Sequence, residues 1–207
     1  MGAVVALDSL LDARRVWRGQ PTTAPVANPL PTGHADLDAA LPAGGWPEHA
    51  LSEVLLPADG VGEFALVWPA LARMTHAGDD VVLVAPPYRP HAPAWHRAGL
   101  ALSHVHVVEA APRDALWAAE QCLRSGACRA VLCWPQRADD RALRRLQVAA
   151  ETGQALGIAF RPLQEAANAS PAALRLALEP GRRAVRVLKC RGGVAPAQSI
   201  ALAGHRH

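Results

Sequence analysis

The residues of this 207-residue chain that come nearest to a chemical motif lie between positions 52 and 64. Ser52, Glu53, Val54, Leu55 and Leu56 lead into Pro57, Ala58, Asp59, Gly60, Val61, Gly62, Glu63 and Phe64. A phosphate-binding loop needs a strand and a glycine-rich turn whose backbone N–H groups cradle phosphate. It then needs a lysine for charge and a Ser or Thr hydroxyl for Mg²⁺. Here Pro57 stands at the first glycine, Glu63 at the lysine and Phe64 at the metal ligand. A carboxylate repels a triphosphate and a phenyl ring coordinates no metal, so ATP hydrolysis is not expected at this loop. Taken alone, Gly60 and Gly62 need do no more than let a strand turn sharply into a helix.

Other constellations are weaker. His104, Val105 and His106 place two imidazoles on one face of a strand, but no third ligand lies nearby in sequence, so edge-strand histidines are expected and no metal site. Asp139 and Asp140 suit the positive end of a helix dipole. Arg141, Arg144 and Arg145 follow at helical spacing as a basic stripe, either a solvated face or a docking face for acidic protein or DNA backbone. The cysteines Cys122, Cys128, Cys133 and Cys190 lack a CxxC pair, which points to reduced thiols in a cytoplasm and to no zinc or disulfide framework.

The elements that must position these residues alternate. Strands are expected at 50–56, 81–85, 105–109, 130–134 and 156–160, with helices at about 62–77, 93–99, 112–126 and 138–153. Strands separated by helices imply parallel crossovers, hence an α/β fold with a mainly parallel central sheet flanked by helices on both faces. Beyond residue 170, strand-like runs at 174–178, 184–189 and 198–202 are joined by turns at 179–181 and 191–196, which favour antiparallel strands at the sheet edge. Before the core, Val4, Val5, Leu7, Leu10, Leu11 and Trp17 recur at helical spacing. Residues 1–19 are therefore expected to form an amphipathic helical arm, 20–32 a Pro-rich linker and 33–207 the core.

Hydrophobic residues make up 51% and charged residues 19%, a composition that excludes a disordered chain. The net charge of +3 conceals an asymmetry: residues 1–160 hold 13 Arg/Lys against 16 Asp/Glu, whereas 161–207 hold 8 against 2. The basic C-terminal region can meet phosphates or an acidic protein surface. The first residues lack a basic leader and no apolar run approaches a membrane span, so a cytoplasmic protein is expected with no membrane contact.

The residues ahead of the loop form a longer match. Thr32 and Gly33, then Leu37, Asp38 and Leu41, then Gly44, Gly45 and Pro47 ahead of the Glu53 strand resemble the segment that leads into the phosphate loop of RecA-type recombinases. The resemblance implies a RecA-like core. It puts Pro87 at the catalytic glutamate and Trp134 at the metal-binding aspartate, so no catalytic residue, cofactor or metal is expected. The recombinase DNA-binding loops shrink to 135–138 and a short stretch after 160–162, which leaves DNA contact open. Lys189 and Arg191 resemble the basic pair that a recombinase protomer extends toward its neighbour's nucleotide, the alternative being a solvated edge strand protected by charge. The N-terminal helix, through Leu7, Leu10, Leu11 and Trp17, resembles the arm that packs on an adjacent protomer, which implies possible self-association.

Residues 114–128 and 138–147, with 16–19 and 84–87, are similar to the ImuA group, RecA relatives without ATPase activity. That resemblance implies a damage-induced, non-enzymatic accessory protein of mutagenic translesion synthesis. Its partners would be RecA and the polymerase-like scaffold ImuB and, through ImuB, an error-prone replicative-type DNA polymerase. The alternatives are a SulA-like division inhibitor that binds FtsZ, or a residual nucleotide-binding ATPase of the RecA type.

Overall fold

The computed structural model describes residues 30–135, 137–179 and 183–202. In chain order the elements are α1 (Ala35–Ala40), β1 (Leu51–Leu56), α2 (Phe64–His76), β2 (Val81–Val84), α3 (Ala92–Arg97), β3 (Val105–Val108) and α4 (Ala115–Arg124). They continue with β4 (Ala130–Cys133), α5 (Asp140–Gly153), β5 (Leu156–Pro162), β6 (Leu174–Leu178), β7 (Ala184–Cys190) and β8 (Ile200–Ala201). The strands form one sheet of eight in the order β3-β2-β4-β5-β1-β6-β7-β8.

Pairing is parallel from β3 across to β6 and antiparallel from β6 to β8. The run at 174–178, expected to begin an antiparallel extension, lies parallel to β1, and the reversal comes only at β7. Strands buried on both faces read as continuous apolar runs, and β2 and β4 are buried along their whole length. β3 is more open because, among the described residues, it has a neighbour on one side only.

Alternation along the strands divides the core in two. Val54, Leu56, Leu83 and Leu132 face α1, α2 and α3, where Leu37, Leu66 and Leu71 meet them. Leu51, Val82, Val84 and Val131 face the opposite side, where α4 and α5 contribute Leu123, Leu143 and Leu146. The α5 helix is capped by Asp139, whose Oδ1 accepts the Ala142 N–H at 2.7 Å, as its acidic opening predicts. Where α4 and α5 meet, a Cβ on Gly153 would sit 1.8 Å from the Leu123 carbonyl oxygen, so the close approach admits only glycine.

Helix α1 has no counterpart among the expected elements. Residues 20–29 of the expected linker lie outside the described residues; Leu30 bridges Trp46, and the Thr32 N–H donates to Asp38 Oδ1 at 2.7 Å, which ties 30–32 to the core. The expected arm, with Leu7, Leu10, Leu11 and Trp17, lies outside the described residues. Among those described, no helix is long and apolar enough to cross a membrane.

Candidate functional site

The turn from β1 into α2 is built as its glycines require. Gly60 and Gly62 have φ of +78° and +91°, a region costly for any residue with a Cβ. No crowding demands them, since a Cβ at Gly62 would meet nothing within 4 Å. Glu63 then folds back over the turn. Its side chain is buried, and Oε1 accepts the Gly60 N–H at 3.3 Å. Glu63 thus supplies the loop's own anion, beside the helix N-terminus that favours negative charge.

Phe64 follows it with an aromatic ring. Its ring meets Trp95 edge-on at 4.9 Å and lies 5.8 Å from Trp134, 6.0 Å from Phe160 and 6.2 Å from Trp68. Trp134 stacks on Phe160 at 5.0 Å with 17° between the rings. Five of the chain's nine aromatic residues therefore fill the region where the C-terminal ends of β1, β4 and β5 converge. Each pair contributes about 0.5–1.5 kcal/mol beyond its buried area. Pro87 lies exposed after β2, and Trp134, just past β4, is buried. Beside the cluster opens a groove of about 1350 Å³ along the C-terminal ends of β2, β3 and β4, with Trp95 and Trp134 in its wall.

On the opposite face of the sheet lies a charge network that the sequence analysis did not single out. Glu53 is fully buried in β1; Oε1 accepts from Arg161 at 2.6 Å and Oε2 from Arg175 at 2.7 Å. Arg161 also donates to Glu165 Oε2 at 2.9 Å and to the Ala138 carbonyl at 2.8 Å. Arg175 binds the carbonyls of Glu165 and Asn168 at 2.8 and 2.9 Å, which fastens the segment after β5 to the sheet. The signal for this network is the one charged residue inside an otherwise uncharged buried strand, which Glu53, Arg161 and Arg175 each are.

The basic residues singled out by sequence are dispersed. Lys189 donates to the Ser170 carbonyl at 2.7 Å, and burial, then the charges of Arg191 and Arg175, hold its pKa below the usual lysine range. Arg191 lies past the end of β7, 3.7 Å from Glu151. On α5, Arg141, Arg144 and Arg145 are all exposed; Arg144 pairs with Asp140 at 2.7 Å and Arg145 with Glu120 at 3.4 Å. Trp117 on the adjacent α4 is 64% exposed, an apolar ring beside this stripe that sequence did not identify as surface.

His104 and His106 converge on one acid: His104 Nδ1 and His106 Nε2 lie 3.0 and 2.9 Å from Asp80 Oδ1. Among the described residues no group of three His, Cys, Asp or Glu is arranged to hold a metal ion. The four cysteines are free thiols. Burial pushes Cys133 up to about 12 and Cys128 to about 11, so neither presents a thiolate near neutral pH.

Residues 51–157, from β1 into β5, match the family described as Cell division inhibitor SulA. A crystal structure of SulA from Pseudomonas aeruginosa is similar at 25% sequence identity and a TM-score of 0.46, over 54% of this chain and 97% of that one. No curated protein matches.

Proposed function

This chain belongs to the SulA family of cell division inhibitors, and we propose that it is a non-catalytic inhibitor of cell division that works by binding the division protein FtsZ. The observation that carries this reading is the family match across β1 to β5, over half of the chain. The chemistry of the β1–α2 turn supports action by binding. Glu63 occupies the loop with its own carboxylate, and Phe64, Trp134 and Phe160 fill the space beyond it with rings. A nucleotide phosphate would meet like charge, and a metal ion would meet no oxygen ligand from Phe64 or Trp134. A cytoplasmic site of action goes with this reading.

A second reading is favoured by a separate observation. The stretches similar to the ImuA group, 114–128 and 138–147, fall on α4 and α5, the helices that carry exposed Trp117 and the arginines of the basic stripe. In that reading the core is RecA-like, those helices face RecA or ImuB, and the process served is translesion synthesis. One experiment separates the two: capture by the immobilised full chain of purified FtsZ, RecA and ImuB, with FtsZ polymerisation followed in parallel. Capture of FtsZ and slowed polymerisation support the inhibitor; capture of ImuB or RecA with polymerisation unchanged replaces it with the accessory protein. Micromolar binding of ATP–Mg²⁺ by calorimetry would overturn both.

A further inference from the structure

β3 closes one side of the sheet, and among the described residues nothing pairs with its outer edge. The Ala85 N–H donates to the Val108 carbonyl at 2.9 Å, so in the parallel register of β2 and β3 the backbone groups of His106 and Val108 turn inward. Those of Val105 and Val107 turn outward. The Val105 N–H is taken by the Leu102 carbonyl, which leaves the Val105 C=O and both backbone groups of Val107 as an open ladder. Native edges are commonly blunted by lysine, proline or shortness, as the two-residue β8 is at the other edge. β3 carries neither lysine nor proline.

The side chains of the same two residues reinforce the edge. Val105 and Val107 line the groove described above, together with Trp95, Leu102, Leu116 and Trp134. Val107 is 45% and Leu102 37% exposed, so this apolar wall stands open to solvent. His106, between the two valines, points to the other face and is held by Asp80. At about 1350 Å³ the groove exceeds the ~300–1,000 Å³ typical of a small-molecule pocket and suits a length of chain.

Charge selects the occupant. Arg89, Arg113 and Arg137 line the groove from the loops that follow β2, β3 and β4, against one acidic residue, Glu109. Arg113 shares its charge with Asp114 at 3.4 Å. A second copy of this chain would bring the same arginines against these, so like charge disfavours it.

We propose that the β3 edge and its groove bind an extended acidic segment of a partner protein, added to the sheet as a further strand. Its backbone completes the open ladder of Val105 and Val107, alternate apolar side chains enter the groove, and its carboxylates meet Arg89, Arg113 and Arg137. The assignment rests on the reading of the chain as a partner-binding protein and holds whether that partner is FtsZ or another.

The test uses the full chain and a fluorescein-labelled peptide of alternating valine and threonine flanked at both ends by glutamate, with a lysine-flanked control. Fluorescence polarisation is expected to show binding of the acidic peptide and at least roughly tenfold weaker binding of the control. Val107→Pro removes only the outward N–H, so it should weaken the acidic peptide by roughly tenfold while the melting temperature stays near that of the parent. Should that variant unfold, the exposed triple change Arg89→Glu, Arg113→Glu and Arg137→Glu serves in its place, and is expected to reverse the preference between the peptides. Equal binding of both peptides, binding of neither, or a reversal variant that keeps the acidic preference would overturn the proposal. So would a dimer in sedimentation that Val107→Pro converts to monomer, since the edge would then belong to a second copy. Peptide binding without capture of FtsZ would retire the division reading and leave this one standing.

Discussion

The Glu53 carboxylate accepts the Arg161 guanidinium at 2.6 Å inside the sheet, both side chains shut off from water. Arg175 reaches the other oxygen from the opposite neighbouring strand, so one acid bridges β5, β1 and β6. A buried ion pair is a weak source of net stability, because desolvation offsets most of the attraction. Breaking it by removing one partner is costly all the same, since a charge is left buried alone. Glu53→Ala strands two guanidinium groups and is expected to lose about 3–5 kcal/mol in urea unfolding. A loss of the size seen for exposed pairs would mean that the arginines find water once Glu53 is gone.

The aromatic cluster at the ends of β1, β4 and β5 is open to the same kind of test. Trp134→Ala is expected to cost about 3–5 kcal/mol, by the removal of a buried ring that stacks on Phe160. Trp134→Asp places a carboxylate after β4 but leaves Glu63 and Phe64 in place, so it should be less stable than the parent and still bind no ATP–Mg²⁺ in calorimetry. Tight nucleotide binding by that variant would show that the ring at 134 alone keeps nucleotide out.

Much of the sheet was legible because its strands are short apolar runs bounded by turns, a pattern local enough to read. The 112–126 helix shortens to Ala115–Arg124 because Pro112 and Asp114 fall in the turn before it. Helix α1, at six residues, is too brief for a periodic signal. The loop at Gly60, Gly62 and Glu63 was readable for the same reason as the strands. What filled the site was not. Phe64, Trp95, Trp134 and Phe160 come from separate parts of the chain, and Glu53 lies 108 and 122 residues from its two arginines. Contacts at such separations are set by strand order, which periodicity does not specify.

The Asp80 carboxylate gives a pH dependence with a definite sign. Hydrogen bonds from His106 and then His104 hold its pKa below the usual aspartate range. A depressed carboxylate stabilises the fold above its unfolded pKa, and that stabilisation is lost as pH falls through the folded value. The parent should therefore melt higher than Asp80→Asn near neutral pH, with the difference closing as the pH drops through and below the ordinary aspartate range. A gap that stays open well below the ordinary aspartate range would reverse the assignment.

Lys189 and Arg191 are two residues apart, yet the structure gives them unequal tasks. Lys189 is half-buried and holds the Ser170 carbonyl at 2.7 Å, beside the Glu53 network. Arg191 is exposed, and its approach to Glu151 at 3.7 Å is a surface pair of the kind that contributes about 0–1 kcal/mol. Lys189→Ala is therefore expected to lower stability by about 1–3 kcal/mol, since it leaves a carbonyl without its charged donor. Arg191→Ala should leave the melting temperature almost unchanged. If the pair also reaches across to a neighbouring molecule's nucleotide, Arg191→Ala alone should weaken capture of a RecA filament at unchanged stability. Chemical unfolding and filament co-sedimentation on the same two variants separate the roles, and identical filament binding by parent and Arg191→Ala would confine Arg191 to its own chain.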